Sequence, residues 1–350
     1  MENPYIEQFP DLLSGKTLLY VHGFASSGQS GTVSRLRTVF PNAKVIAPDL
    51  PIRPEEAISL LHELCQAEQP HLIIGTSMGG MYTEQLYGYD RICVNPALCI
   101  ADTMSAHGMT GTQTFQNPRQ DGVQTFYVDK ALVKEYRAVS ERRFSALTDA
   151  DGKPAPVARS EQQRVYGLFG DNDDLVDTFG LFSQHYPNAL KFHGGHRMDD
   201  HSFMHSVVPV IRWIDDRQEH RERPIIYIGI ETLQDPLHMS PRPSSQKAVR
   251  QLVERYQVYF VSPAPDYVPA SDSTQSPHAW EGVGAFLYTH INVPAWGHTI
   301  FTNQRHLLYG DYLIESRATA SPIATRIDFG SDTFKTWDDI ITYFDRLDGQ

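Results

Sequence analysis

An apolar run that ends in small residues, LIIGTSMGG at positions 72–80, carries the strongest fold signal in this 350-residue sequence. Its first residues have the pattern of a short buried strand, and residues 81–86 have helical spacing. Between them, GTSMG matches G-x-S-x-G, which places a serine on a sharp turn between a strand and a helix. Gly75 and Gly79 leave room for that turn. We therefore predict that Ser77 is a nucleophile.

Strand and helix patterns alternate outward from this turn. Because this alternation is typical of parallel sheets covered on both faces, the first half is predicted to be an α/β domain. Residues 101–159 interrupt the alternation with polar sequence, and we expect a partly helical lid insertion there, over the sheet edge. The predicted strands are 17–21, 44–47, 71–74, 92–94, 164–169 and 189–192, and a closing helix is predicted at 203–214.

A serine nucleophile of this class needs an acid and a base that follow it in the order Ser, Asp, His. The loop GDNDDLV at 170–176 follows a predicted strand, and its G-x-x-D-x-x-V pattern selects Asp173 as the acid. His196 follows the next strand after two flexible glycines, so it can reach Ser77 as the general base. The alternatives are Asp171, Asp174 and Asp177 for the acid and His193, His201 and His205 for the base.

Two backbone N–H groups should stabilise the oxyanion that forms when the serine attacks. One candidate is Met78, directly after the nucleophile, and the other is Phe24, in the loop that follows strand 17–21. His22 precedes Phe24 and could be mistaken for a catalytic base. We interpret it as a structural histidine that, with Gly23, supports the loop.

A dense charged stretch at 215–224, ending in Pro224, marks a predicted domain boundary. It separates a first domain at 1–220 from a second at 224–350. Beyond it, strand patterns at 225–228 and 258–261 flank a helical pattern at 244–256. The sequence therefore predicts a second, smaller α/β domain.

The stretches LYVHGFASS at 19–27, IGTSMGG at 74–80 and VNPA at 94–97 resemble the YqiA/YcfP-like α/β-hydrolases. The resemblance covers about residues 15–215. It implies an α/β-hydrolase fold and a serine esterase that cleaves short acyl or related esters through an acyl-enzyme.

The second domain resembles the HAD-type 5′-nucleotidases in GDYLI at 310–314, IDFG at 327–330 and VSPAP at 261–265. That resemblance implies an aspartate nucleophile, a lysine and a Mg²⁺ site. The first strand, YIGIET at 227–232, has no aspartate at the nucleophile position, and no lysine lies between Lys247 and Lys335. We therefore expect this HAD-like domain to be catalytically inactive.

The composition of the chain argues against several classes of partner and location. The net charge of −12 makes nucleic acid a poor partner, and three scattered cysteines argue for a reducing compartment. Without a signal-peptide pattern or a long apolar window, we expect a cytoplasmic protein that does not bind membranes. The triad requires no metal or cofactor. The expected partner is a small acyl substrate. The sequence leaves open whether the chain forms a homo-oligomer. Alternative functions are a metal-dependent phosphatase activity of the second domain or a non-catalytic binding protein.

Overall fold

The computed structural model describes residues 5–149, 151, 153–235, 240–264, 279–293, 297–319 and 321–348. The chain divides into two compact units, Met1–Met204 and His205–Gln350. This division falls inside the predicted closing helix, after its first two residues, and not at the predicted boundary beyond it. The helix at Val208–Gln218 packs against the helix at Ser245–Arg255, which places it in the second unit.

The first unit is built on a parallel sheet. Its strands in the described residues are β1 (Thr17–Val21), β2 (Lys44–Ile46), β3 (Leu72–Thr76), β4 (Arg91–Val94), β7 (Val165–Gly170) and β8 (Ala189–Phe192). They lie in the order β2-β1-β3-β4-β7-β8, and this arrangement confirms the predicted α/β-hydrolase fold. The helices outside the insertion are α1 (Gly31–Val39), α2 (Pro54–Glu68), α3 (Met78–Glu84), α6 (Ala158–Arg164), α7 (Phe179–Ser183) and α8 (Asp200–Ser202).

The central strands are apolar because helices cover both faces of the sheet. Every residue of β4 is buried, and so are the first four residues of β3. In a parallel sheet all strands end at the same edge. The loops after β3, β7 and β8 therefore meet there, and these loops carry Ser77, Asp173 and His196.

The insertion at 101–159 is partly helical, as predicted, and it also contains a hairpin that was not predicted. Helices α4 (Ile100–Ala106) and α5 (Lys130–Ser140) flank an antiparallel hairpin of β5 (Gly111–Thr114) and β6 (Thr125–Val128). Strand β6 alternates exposed and buried residues, with Phe126 and Val128 facing inward, a period of two that only a strand can use. The N–H of Gln116 donates to the carbonyl of Ala25 at 2.8 Å, so the insertion covers the loop after β1.

The second unit contains a second parallel sheet. Its described strands are β9 (Ile225–Gly229), β10 (Gln257–Ser262), β11 (Thr299–Phe301), β12 (Tyr312–Glu315) and β13 (Thr325–Asp328). They lie in the order β11-β10-β9-β12-β13. The core of this unit contains Trp337, whose indole N–H donates to the carbonyl of Thr232 at 2.8 Å. The helices are α9 (Val208–Gln218), α10 (Ile230–Leu233), α11 (Ser245–Arg255), α12 (Ala279–Phe286) and α13 (Trp337–Asp348), with π-helical turns at Phe203–Val207 and Leu287–Ile291. No helix in the described ranges is long and apolar enough to cross a membrane.

Candidate active site

The turn between β3 and α3 holds Ser77 in a conformation that side chains rarely adopt, with φ of 55° and ψ of −120°. Such a conformation costs about 1–3 kcal/mol and persists only where the surroundings impose it. Here the neighbouring segment after β4 provides that restraint. The Ser77 N–H donates to the carbonyl of Val94, and the Ser77 carbonyl accepts from the Ala97 N–H, both at 2.9 Å.

The glycines of the motif are required by close packing. A Cβ at Gly75 would lie 2.1 Å from Thr83 Oγ1, and one at Gly79 would lie 2.1 Å from the carbonyl oxygen of Val21. A Cβ at Gly23 would lie 3.3 Å from the Cβ of Ser77. The loop that carries Phe24 therefore passes directly beside the serine.

The structure brings the three predicted residues together. The Nε2 atom of His196 lies 3.0 Å from Ser77 Oγ, and its Nδ1 atom lies 2.8 Å from Asp173 Oδ2. The side chains of His196 and Asp173 are 14% and 3% exposed, so the contact is largely shielded from solvent. Geometry of this kind allows a histidine to take the serine proton while the acid orients the ring.

Asp173 is fixed by more than the histidine. Its Oδ1 atom accepts from the N–H groups of Leu175 and Val176, both at 2.9 Å. Burial would raise the pKa of this carboxyl, but the hydrogen bonds from His196, Val176 and Leu175 hold the pKa below its ordinary value. An ionised carboxylate can only accept, so Nδ1 of His196 carries the ring proton and Nε2 faces Ser77 as an acceptor.

The residues named as alternative acids and bases have other partners or surroundings. Asp171 pairs with His193, with 3.1 Å between Oδ2 and Nδ1, and its Oδ1 accepts from the Gly194 N–H at 2.9 Å. His201 packs edge-on against the ring of Tyr5. Of the others, His205 is buried, whereas Asp174 and Asp177 are exposed.

The two candidate oxyanion donors flank the serine. Met78 is the first residue of α3, where a backbone N–H has no partner within the helix. The ring of Phe24 packs edge-on against Phe126 and Tyr136 of the insertion, with centroid distances of 5.4 and 6.4 Å. The insertion therefore supports the loop that carries Phe24.

His22 uses both ring nitrogens away from the serine. Its Nδ1 atom lies 2.9 Å from the carbonyl of Gly23, and its Nε2 atom accepts from the Leu50 N–H at 3.0 Å. Burial lowers the pKa of His22 to about 4, so the ring is neutral near pH 7. It joins the loop after β1 to the segment after β2.

One residue at the site has no predicted role. Asn95 follows β4 and is 2% exposed, and its side chain reaches the loops of both the acid and the base. The sequence includes Asn95 in VNPA, but the motif alone does not reveal which loops the amide contacts. An asparagine with a proline after it, directly beyond a buried strand, was the available signal.

The described residues of the second unit do not form the Mg²⁺ site that its resemblance implies. Both carboxylate oxygens of Glu231 accept from the guanidinium of Arg305, at 2.6 and 2.8 Å, and Arg305 also lies 3.3 Å from Glu315. No group of three or more potential metal ligands occurs within the described part of the chain. These residues do not fit Mg²⁺.

The fold and the Ser-His-Asp geometry define the first unit as an α/β-hydrolase. The model of the Uncharacterised protein family UPF0227 matches residues 17–192, which span all six strands of its sheet. The chain belongs to this family.

Similar proteins include an esterase domain from Rhodothermus marinus, which is 16% identical, with 56% of this chain and 85% of that chain covered and a TM-score of 0.36. A methylesterase from Arabidopsis is 13% identical, with 59% and 99% covered and a TM-score of 0.32. A putative 5′(3′)-deoxyribonucleotidase of Vibrio phage KVP40 is 25% identical over 109 residues, which is 30% of this chain. The chain spans 59% of the length of that curated relative.

Proposed function

We propose that this protein is a serine esterase that hydrolyses carboxylic esters with short acyl groups through an acyl-enzyme. The observation that carries the proposal is the unbroken hydrogen-bond chain from Ser77 through His196 to Asp173, with contacts of 3.0 and 2.8 Å. The same chain of contacts activates serine nucleophiles on several unrelated folds.

The first half of the reaction transfers the acyl group. Ser77 Oγ attacks the ester carbonyl while its proton moves to Nε2 of His196, and Asp173 stabilises the resulting imidazolium. The N–H groups of Met78 and Phe24 donate to the negative oxygen of the tetrahedral intermediate. The intermediate then collapses, the C–O bond to the alcohol breaks, and His196 returns the proton to the departing alkoxide.

The second half releases the acid. Water attacks the acyl-serine carbonyl and gives its proton to His196, and the carbon–Oγ bond then breaks as Ser77 recovers that proton. The ring of Phe24 is only partly buried and packs on Phe126 and Tyr136 of the insertion, so we propose that an apolar acyl group binds against its exposed part. No metal or cofactor takes part in these steps.

The test is a series of p-nitrophenyl esters from acetate to palmitate, combined with labelling by a fluorophosphonate. We expect turnover that is fastest for the short chains, and peptide mass spectrometry should place the label on Ser77. Absence of turnover on every ester together with an unlabelled Ser77 would refute the esterase proposal and favour a non-catalytic binding protein.

A further inference from the structure

The segment after β4 contacts the nucleophile, the acid loop and the base loop at once. The main chain at the end of β4 and just beyond it holds Ser77, through Val94 and Ala97. The buried side chain of Asn95 extends in the other direction. Its Nδ2 atom donates to the carbonyls of Gly195 and His196, at 3.0 and 3.1 Å. Its Oδ1 atom accepts from the Gly170 N–H at 2.7 Å.

These contacts fix the distance between two loops that lie at separate places along the chain. Gly170 is the last residue of β7 and begins the loop of Asp173, whereas the two accepting carbonyls belong to the loop of the catalytic base. The backbone of Asn95 is itself anchored, because its N–H donates to the carbonyl of Leu168 at 2.8 Å. Its φ of 43° is a conformation that asparagine tolerates better than most residues.

We propose that Asn95 is a positioning residue, which holds the backbone of His196 at the distance that its ring needs to reach Ser77. This inference rests on the proposed esterase function. Asn95 touches no reacting atom. Its two N–H donors are the feature that matters, because aspartate has the same shape and keeps the acceptor for Gly170 but has no donors for the carbonyls.

The experiment compares Asn95→Asp and Asn95→Gly with Asn188→Asp, a matched control. The amide of Asn188 also donates to two carbonyls, those of Gln162 and Val165, in the same unit. We expect both Asn95 variants to lose kcat by on the order of 10²-fold with KM changed less than about threefold, because small displacements of a catalytic group have effects of that size. The control should keep kcat within about twofold.

A second readout does not depend on turnover. The proton that His196 shares with Asp173 should give a downfield imidazole signal in the NMR spectrum, which His196→Ala removes. We expect the signal to vanish in Asn95→Gly and to persist in Asn188→Asp. An inactive wild-type protein would refute the esterase proposal, whereas the signal would still test Asn95. Variants of Asn95 that keep both kcat and the signal would overturn the positioning role.

A cluster of charged residues lies at the end of β12 and just after β9 in the second unit. Glu315 is fully buried and accepts four hydrogen bonds, from Arg305, Arg326 and both the N–H and hydroxyl groups of Thr319. Glu231 is bound on both oxygens by Arg305, and this ion pair lowers the pKa of its carboxyl against the opposite effect of burial. The carboxylate oxygens of Glu231 and Glu315, which would be the ligands of a cation, already accept hydrogen bonds from these protein groups.

The resemblance implies an aspartate nucleophile at the end of β9, and the space for its side chain is filled by the carboxylate of Glu231. A Cβ at Gly229, the last residue of β9, would lie 2.4 Å from Glu231 Oε1. An aspartate at that place would displace the carboxylate that Arg305 holds. We infer that the guanidinium of Arg305 serves as a fixed internal cation between Glu231 and Glu315, so that this site neither binds Mg²⁺ nor forms a phosphoenzyme.

The test uses MgCl2 alone and p-nitrophenyl phosphate, with the full chain in the Ser77→Ala background. We expect about 10 mM Mg²⁺ to leave the Tm unchanged and to release no phosphate, since a cation that does not bind the folded state does not stabilise it. Saturable stabilisation by Mg²⁺, or phosphate release that needs Mg²⁺, would overturn the inference.

The Arg305→Met variant tests the same site by removing its internal cation. Removing one partner from a buried ion pair leaves uncompensated carboxylates, so we expect the Tm to fall by on the order of 10 °C. Added Mg²⁺ should recover part of that loss. The control is Arg255→Met, which breaks the more exposed pair with Asp345 and should shift the Tm by only about 1–2 °C. A Tm of Arg305→Met equal to that of the control would contradict the internal-cation role.

Discussion

Replacement of Ser77 by alanine should lower kcat/KM for ester hydrolysis by about 10⁵-fold, because it removes the atom that forms the acyl-enzyme. Some activity above the uncatalysed rate should persist, since the oxyanion donors and the binding surface are unchanged. The measurement is the initial rate on p-nitrophenyl acetate for wild type and Ser77→Ala, with circular dichroism to show that both are folded.

The matched control for this prediction is Ser34→Ala, which removes an exposed hydroxyl from α1 and should leave the rate within about twofold. Equal rates for wild type and Ser77→Ala would show that another residue is the nucleophile. The alanine also removes the 3.0 Å hydrogen bond to His196, so a crystal structure of the variant would show whether the ring keeps its place without it.

The second large effect is expected at the acid. Asp173→Asn should lower kcat by about 10³–10⁴-fold, because the asparagine amide donates to Nδ1 and forces the ring proton onto Nε2. His196 would then present a proton to Ser77 instead of a lone pair. The hydrogen bonds from Leu175 and Val176 to Oδ1 are retained, so the fold should survive.

Asp171→Asn is a close control for this variant, since Asp171 lies two residues away and also pairs with a histidine. That pair involves His193, whose side chain is 47% exposed, and not the ring that contacts Ser77. We expect kcat to change by no more than about threefold. A large loss in Asp171→Asn with a small one in Asp173→Asn would reverse the assignment of the acid.

Local sequence signals were sufficient for the sheet and for the three residues of the candidate triad. The apolar strands of the first unit lie where their hydrophobic runs predict them, because a buried parallel strand must be apolar on both faces. The order of Ser77, Asp173 and His196 along the chain, each after a strand, is also local information. The loop pattern alone favoured Asp173 over Asp171.

The insertion at 101–159 was harder to predict because polar sequence carries little periodicity. Its hairpin buries only one side of β6, at Phe126 and Val128. The burial of that side can be recognised only once the loop that it covers is known. A short half-buried strand gains its stability from its neighbours in space, so its own residues specify it weakly.

Hydrophobic periodicity and glycine spacing are local properties of the chain, so they predict a parallel α/β domain with a serine on a tight turn. They do not predict which loops Asn95 joins or that Arg305 lies between Glu231 and Glu315, because these contacts depend on the folded chain. Those contacts link residues 70 or more positions apart, except the contact between Arg305 and Glu315, which are ten positions apart. Hydrogen bonds and ion pairs of this kind depend on distances in space, which residue spacing along the chain does not encode.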